Sequence, residues 1–232
     1  MSDADAMDRI AAAVRDLDPQ PRQRRWVSLA FCILDAVYSI GARYDTVVVP
    51  LVHRVATDFD ITKPSVGQAT GDAPDPLPLG KFLGRYPDEA GLVRATNKQR
   101  TSTRGGILKA DAALRYARIL HDHDVRTLQE GRELLADPVR LDTVETALRR
   151  VPGEGAAGVR RGYLWMLIGD EDTIKPDRMV LRWLATHGVD TTPAQARTLL
   201  SGVADRVSSE LGRRVTAWEI DHAVWTAARS PK

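Results

Sequence analysis

The sequence predicts an all-helical (all-α) protein. Apolar residues recur at helical spacing over long stretches of the chain, as in Leu29, Ile33, Val37 and Ile40. Runs with the alternating apolar and polar pattern of a half-buried strand are few. Five of the thirteen prolines fall within residues 60–87, so the residues that break helices are concentrated in one part of the chain.

The same periodicity gives the positions of most helices. Three consecutive valines at 47–49 form a pattern that is β-like locally. The longer stretch 46–59 nevertheless spaces Val48, Leu51 and Val55 on one helical face, and Pro50 suits a first turn. We therefore expect helices around residues 10–17 and 29–40 and over 46–59, 107–121, 125–135, 140–150, 157–168, 176–185, 193–211 and 216–228.

Two stretches are expected to be irregular. Residues 60–87 combine their prolines with several glycines, which predicts a largely irregular excursion with one short helix. Residues 95–106 are polar and basic, and they end in Gly105 and Gly106 before a strongly helical segment. A basic loop of this kind is suited to contact an anionic partner.

Composition limits the class of protein without deciding it. A chain of 232 residues with 43% hydrophobic content can form one compact domain or two small lobes. The 33 basic and 31 acidic side chains nearly cancel. Net charge therefore gives no reason to propose a nucleic-acid partner, and any such proposal depends on where the charges lie.

Cysteine content and the first residues indicate a reducing compartment. Cys32 is the single cysteine, which excludes an intrachain disulfide, a cysteine zinc site and a four-cysteine iron–sulfur cluster. The N-terminal residues lack the basic and apolar segments of a signal peptide, and no apolar window is long enough to span a membrane. We expect a cytoplasmic protein that does not bind membranes.

One turn between two expected helices has a composition suited to phosphate binding. It reads Val-Pro-Gly-Glu-Gly over residues 151–155. Gly153 and Gly155 allow a sharp bend that brings backbone N–H groups close to an anion. The alternative is that this turn only reverses the chain.

An aspartate follows this turn after one apolar helix. Asp177 lies 26 positions after Val151 and directly after Lys175 and Pro176. Pro176 marks a helix start, and the unpaired N–H groups of a first turn favour a carboxylate there. Alone, Asp177 is explained as such a helix-start acid.

The order of these two motifs resembles the helix-hairpin-helix DNA glycosylase superfamily. In that family a Leu-Pro-Gly-x-Gly hairpin precedes a catalytic aspartate, which Asp177 matches. An arginine follows five residues later, which Arg182 matches. The segment Lys109 to Leu120 resembles the helix that precedes the hairpin in the family.

The resemblance implies a two-lobed fold with DNA lying across the cleft and Asp177 at the junction of the lobes. It covers residues 108–184 well and 26–59 loosely, whereas 60–91 matches nothing in the family. The lobes it implies are 22–172, which contains the helix-hairpin-helix, and 1–21 together with 173–232.

The resemblance also implies a reaction. Asp177 would stabilise the positive charge that develops on the sugar when an N-glycosidic bond breaks, and it would orient the attacking water. Members that also cut the DNA strand carry a lysine where this chain has Ala157, so a monofunctional enzyme is expected. No organic cofactor is implied, but hairpins of the family often bind a monovalent cation through backbone carbonyls, here at 151–155.

Contacts with the DNA backbone are expected from the hairpin and from nearby cations. Lys175 could instead pair with Asp177, remain solvated or act as an amine nucleophile, and some of the arginines could form intramolecular pairs. The residues expected to bind DNA are Gly153, Gly155, Ala157, Arg160, Arg161, Lys175, Arg178, Arg182, Arg100 and Arg104.

Base flipping requires side chains that fill the vacated stack and side chains that hold the extruded base. By position, Tyr38, Ser39 and Ile40 match the first wedge loop of the family, and Asn97 or Gln99 is a second wedge candidate. Tyr163 could stack on the base. Core packing is the alternative explanation for Tyr38 and Ile40.

The expected partner is double-stranded DNA with a modified or damaged base, bound by a monomer. Arg178 and Met179 replace the family's usual threonine and histidine, which leaves the substrate open. It could be a bulky phage-modified cytosine such as glucosylated hydroxymethylcytosine, removed in anti-phage defence, or an alkylated or oxidised base removed in repair. A catalytically inactive DNA-binding module and a helical protein-interaction domain are the rivals.

Other polar residues are better explained by structure. Asp221, His222 and Trp225 suggest a catalytic dyad, but no nucleophile lies nearby in the sequence, so a structural role is favoured. His121 and His123 are too few for a metal site, and we expect no metal held by side chains.

Overall fold

The computed structural model describes residues 3–67, 73–153 and 158–229, and the chain is mostly helical within them. No described helix combines the length and apolar character that a membrane span requires. The α-helices in the described ranges are α1 (Asp3–Arg15), α2 (Leu29–Tyr38), α3 (Val49–Thr57), α4 (Leu79–Arg85), α5 (Glu89–Ala95), α6 (Lys109–Asp122), α7 (Leu128–Leu135), α8 (Pro138–Leu148), α9 (Val159–Ile168), α10 (Arg178–Thr186), α11 (Pro193–Leu211) and α12 (Ala217–Arg229).

The prediction of a mostly helical chain is confirmed, and cap residues explain where several helices begin. Helix α11 has the predicted bounds because Thr192 and Gln195 form a capping box before and around Pro193. Helix α7 begins later than predicted, since Thr127 and Glu130 form a second capping box there.

Local sequence patterns missed four short elements. A π-helical turn, Tyr44–Val48, precedes α3, where one continuous α-helix was expected. Strands β1 (Arg25–Trp26) and β2 (Ser65–Val66) pair antiparallel. Helix α5 was not predicted either, although Asp88 caps it by accepting a hydrogen bond from Gly91 N–H.

Contacts divide the chain into two compact units. Unit 1 contains residues 1–23 and 170–232, and unit 2 contains residues 24–169. In unit 1, α10 packs on α12, and α1 packs on α11. The core between these helices includes Ile10, Trp183 and Ile220.

Helix α2 is the centre of unit 2. All ten of its residues are buried, and α6, α9, α3 and α4 pack against it. Helix α7 approaches α9 closely because Gly131 lies against Ile168, where an added Cβ would be 3.2 Å from a methyl carbon.

The irregular excursion, residues 60–87, contributes one residue, Asp75, that binds two helices of this unit. Asp75 Oδ2 accepts hydrogen bonds from the N–H groups of Leu29 and Leu128, each at 2.9 Å. These N–H groups belong to the first residues of α2 and α7, and the first N–H groups of a helix have no acceptor within the helix. The excursion therefore caps two helices of the core of unit 2.

Candidate functional site

The carboxylate of Asp177 caps helix α10. Its Oδ1 accepts hydrogen bonds from the backbone N–H groups of Met179 (2.7 Å) and Val180 (3.1 Å). Asp177 is thus the N-cap residue, immediately before the first turn in which it was expected. Its Oδ2 accepts no hydrogen bond from any residue in the described ranges. Because the side chain is half-buried, this oxygen is available to a bound molecule.

A second carboxylate, Asp221 of α12, interacts with the same segment. Asp221 is only 7% exposed, and its Oδ1 accepts a hydrogen bond from Lys175 N–H at 2.9 Å. Burial and the negative charge of Asp177 raise the pKa of Asp221 to about 7, although the charge of Lys175 opposes them. The two carboxylates are therefore electrostatically coupled, which the sequence did not indicate.

Helix α12 and the residues before it also bind Glu171 and Asp172, which begin the segment that leads to Asp177. Trp218 N–H donates to the carbonyl of Glu171 at 3.0 Å. Arg214 Nη2 contacts both carboxylate oxygens of Asp172, at 2.8 and 3.1 Å. The backbone that carries Asp177 is thus attached to α12 at several points.

The cations predicted near Asp177 differ in exposure. Arg178 and Arg182 lie one helical turn apart on α10 and are exposed. Neither makes a hydrogen bond or an ion pair with another described residue. Lys175 is half-buried, and its backbone N–H is the group bound by Asp221.

The predicted hairpin joins α8 to α9 in unit 2. Gly153 has a φ of +84°, and a Cβ added to it would lie 2.1 Å from the Cβ of Thr101. Glycine is therefore required here by backbone conformation and by packing on the basic loop. Gly155 and Ala157, predicted as DNA contacts, lie outside the described residues.

Arg160 does not have the role predicted for it. The side chain is fully buried, and Nη2 and Nη1 donate to the carbonyls of Val151 (2.8 Å) and Pro152 (3.2 Å). Its Nε donates to the Tyr116 hydroxyl at 2.9 Å. The prediction of a DNA contact is wrong because this guanidinium faces the protein interior. It binds two of the carbonyls that were expected to hold a monovalent cation.

The DNA contact predicted for Arg161 is also wrong. Arg161 is 8% exposed, and its Nη1 lies 2.8 Å from Glu145 Oε2. Glu145 Oε1 accepts a hydrogen bond from Trp165 Nε1 at 2.8 Å. The positive charge of Arg161 is therefore neutralised between α8 and α9.

Tyr38 is a core residue and not a wedge. Its side chain is fully buried, and the hydroxyl donates to Thr96 Oγ1 at 2.8 Å. Burial raises the pKa of Tyr38 to about 12. The core packing considered as the alternative is therefore correct for this residue.

The buried ammonium group of Lys109 joins the two predicted wedge loops. Its Nζ donates to the carbonyls of Tyr38 (2.9 Å) and Ile40 (2.7 Å) and to Gln99 Oε1 (3.2 Å). Burial lowers the pKa of Lys109 to about 8. Ser39 and Ile40 are half-buried, so a wedge role for them stays a prediction.

The basic loop turns back on itself after Asn97. Asn97 Oδ1 accepts a hydrogen bond from Gln99 N–H at 2.9 Å, and Arg100 and Leu108 form an antiparallel bridge. Arg100 is exposed and its Nη1 donates to Gly106 O at 2.6 Å. Arg104 is exposed at the turn. This loop therefore exposes Arg100 and Arg104 to solvent, and its Thr101 packs against Gly153 of the hairpin.

A family model described as a domain of unknown function, DUF8548, matches residues 5–229. The chain belongs to the DUF8548 family. No curated protein and no solved structure matches it. The function of this DUF8548 chain is therefore inferred from the chemistry of its own residues.

A buried polar cluster in the DUF8548 chain contains Tyr163, which was predicted to stack on an extruded base. Asp35 is fully buried in α2, and its Oδ2 accepts hydrogen bonds from Trp26 Nε1 and the Tyr44 hydroxyl, each at 2.7 Å. Burial and the charge of Asp35 raise the pKa of Tyr44, which also hydrogen-bonds with half-buried Tyr163. Sequence reasoning missed this cluster, although Asp35 is an acidic residue inside an apolar run and could have indicated it.

Proposed function

We propose that this protein is a monofunctional DNA glycosylase that hydrolyses the N-glycosidic bond of a flipped-out modified or damaged base. The observation that carries the proposal is the state of Asp177. Two backbone N–H groups hold one carboxylate oxygen, and the other oxygen makes no hydrogen bond within the described ranges. A carboxylate fixed in this way can stabilise developing positive charge without reorganising.

The reaction would proceed as follows. The bond between the sugar C1′ and the base nitrogen breaks, and its electron pair leaves with the base. The Asp177 carboxylate stabilises the resulting oxocarbenium-like sugar, and a water oxygen bonds to C1′. One proton of that water passes to the departing base, either directly or by way of the Asp177 carboxylate. The products are a free base and an abasic site, and the strand stays intact because Ala157 offers no amine.

Each unit carries residues that suit contacts with DNA. Unit 2 supplies the 151–155 hairpin and the basic loop with exposed Arg100 and Arg104. Unit 1 supplies Asp177 and the exposed arginines Arg178 and Arg182. Exposed cations of this kind suit phosphate contacts that are not sequence-specific. The finer fold that we propose is the two-lobed helix-hairpin-helix glycosylase fold, with double-stranded DNA as partner and a monomer as active species.

The substrate that we propose is a bulky phage-modified cytosine such as glucosylated hydroxymethylcytosine, which would make the protein an anti-phage enzyme. Arg178 and Met179 directly follow Asp177, where the family's repair enzymes have threonine and histidine. Alkylated or oxidised bases, removed in repair, are the alternative. The same assay tests both classes.

One observation favours a catalytically inactive DNA-binding module instead. Asp177 already caps α10 with two hydrogen bonds, and a cap alone explains an aspartate at this position. The substitution Asp177→Asn separates the two functions, because asparagine caps a helix about as well as aspartate but carries no charge.

We predict that Asp177→Asn lowers the rate of base release by about 100-fold or more, with little change in thermal stability. The measurement is mass spectrometry of bases freed from a panel of genomic DNAs that includes phage DNAs with hypermodified cytosines. Asp137→Asn is the matched control, since Asp137 caps α8 through the N–H of Arg140. Undiminished base release by Asp177→Asn, or no release from any DNA by the wild type, would overturn the assignment.

A further inference from the structure

A cavity in unit 2 is lined by none of the residues that the sequence singled out as candidate site residues. It has a volume of about 440 Å³ and is formed by residues of α3, the end of α4 and α5. Part of it comes from the stretch 60–91, which the family resemblance did not cover. The volume is within the range of small-molecule sites.

Three arginines line this cavity: Arg54, Arg85 and Arg94. Arg54 is held by its own hydrogen bonds, because Nε donates to Ala95 O at 3.2 Å and Nη2 to Thr96 O at 3.3 Å. Arg85 and Arg94 are exposed, and neither makes a hydrogen bond or an ion pair within the described ranges. Two guanidinium groups are therefore available to a ligand beside one that is fixed.

The one acidic residue of the lining is already engaged. Asp58 Oδ2 accepts a hydrogen bond from the Tyr86 hydroxyl. Burial and Asp58 raise the pKa of Tyr86, so the phenol stays protonated and continues to donate to Asp58. With three arginines and one aspartate, the lining carries a net charge of +2, which favours a dianion or two neighbouring anionic groups.

We propose that this cavity binds a phosphate group, with Arg85 and Arg94 as its ligands and Arg54 as a third cation of the lining. Guanidinium groups suit phosphate because each presents paired N–H donors at the spacing of two phosphate oxygens. The phosphate is either a phosphodiester of nucleic acid or a phosphate of a soluble compound. Arg54 connects the cavity to the basic loop, since the carbonyls that it binds belong to Ala95 and Thr96, the first two residues of that loop. The proposal does not require the glycosylase assignment.

The test is isothermal titration of the full chain with inorganic phosphate and pyrophosphate. We expect the wild type to bind both anions with a dissociation constant in the millimolar range or below. In the double variant Arg85→Gln/Arg94→Gln, the affinity should fall by about tenfold or more. Arg140→Gln is the control, because Arg140 is exposed on α8 and does not line the cavity. Circular dichroism verifies that both variants fold.

A DNA arm distinguishes the two sources of phosphate. If inorganic phosphate competes with a short duplex and the double variant binds that duplex more weakly than Arg140→Gln does, the ligand is a phosphodiester. If the double variant loses inorganic phosphate but binds the duplex as the control does, the ligand is a soluble phosphate. A wild type that binds neither phosphate nor pyrophosphate, or a double variant that binds them like the control, overturns the proposal. None of these results depends on base release.

Discussion

At the scale of single residues, Asp221 holds the backbone beside Asp177 through a contact between distant parts of the chain. Asp177 stands in a recognisable segment with a proline before it and a helix after it, so its position at a helix start was predictable. Asp221 binds the backbone of Lys175, which is 46 positions away along the chain. That contact depends on how α12 packs against α10, and helical periodicity within α12 contains no information about it.

The raised pKa of Asp221 predicts how stability depends on pH. In the folded protein this carboxyl has a pKa of about 7, against an ordinary value of 3.8. Between these values the folded state holds a proton that the unfolded state has lost, so the free energy of unfolding falls as pH rises from about 4 to about 7. Above about pH 7 both states are ionised, and this contribution becomes constant.

We therefore predict that Asp221→Asn removes this pH dependence. Asparagine keeps an oxygen that can accept the Lys175 N–H but cannot ionise, so the stability of the variant relative to wild type should rise by a few kcal/mol between pH 4 and pH 7. Urea unfolding at several pH values measures the difference. Asp205→Asn, an exposed position on α11, should run parallel to wild type, and parallel behaviour of Asp221→Asn as well would show that Asp221 titrates normally.

At the scale of elements, periodicity predicted the long helices and failed for short ones. Helix α11 repeats its apolar positions over several turns, whereas α5 has seven residues and contains a glycine. The two-residue strands β1 and β2 are too short for an alternating pattern to be recognised. Such elements form because tertiary neighbours hold them in place.

The hairpin shows why the arginines near a motif could not be assigned from sequence. Arg160 and Arg161 follow the turn directly, as DNA-binding residues would, but both point into the protein. An arginine in the first turn of α9 can face either way, and the choice depends on whether the interior offers acceptors. Here the interior offers the carbonyls of Val151 and Pro152 and the Tyr116 hydroxyl.

We predict that Arg160→Met destabilises the protein. Methionine has similar bulk but no donors, so two hairpin carbonyls and a tyrosine hydroxyl lose their partner in a buried site, at a cost of about 3 kcal/mol in the free energy of unfolding. Urea unfolding measures this cost. Arg140→Met, on an exposed position of α8, should change it by less than about 0.5 kcal/mol, and an equally small effect at Arg160 would mean that its hydrogen bonds contribute nothing.

At the scale of the whole molecule, the distribution of arginines matters more than their number. The net charge of +2 gives no hint of a nucleic-acid partner. Arg22, Arg160 and Arg161 are buried, whereas Arg100, Arg104, Arg178 and Arg182 are exposed. These four exposed arginines lie in the two segments that the sequence motifs identified, so positive charge is present on the segments that the proposed function requires.

This distribution predicts a measurable dependence of DNA affinity on salt. Each phosphate neutralised by an exposed arginine contributes about −0.9 to the slope of log affinity against log salt concentration. Arg104→Gln should therefore weaken binding to all duplex sequences alike and make the slope shallower by about 0.9. Arg140→Gln should leave the slope unchanged. Fluorescence anisotropy with a labelled duplex at several salt concentrations measures both variants. If the wild type does not bind duplex DNA even at low salt, the glycosylase assignment and the DNA-binding alternative are both wrong, and a helical protein-interaction domain is the hypothesis that agrees with the result.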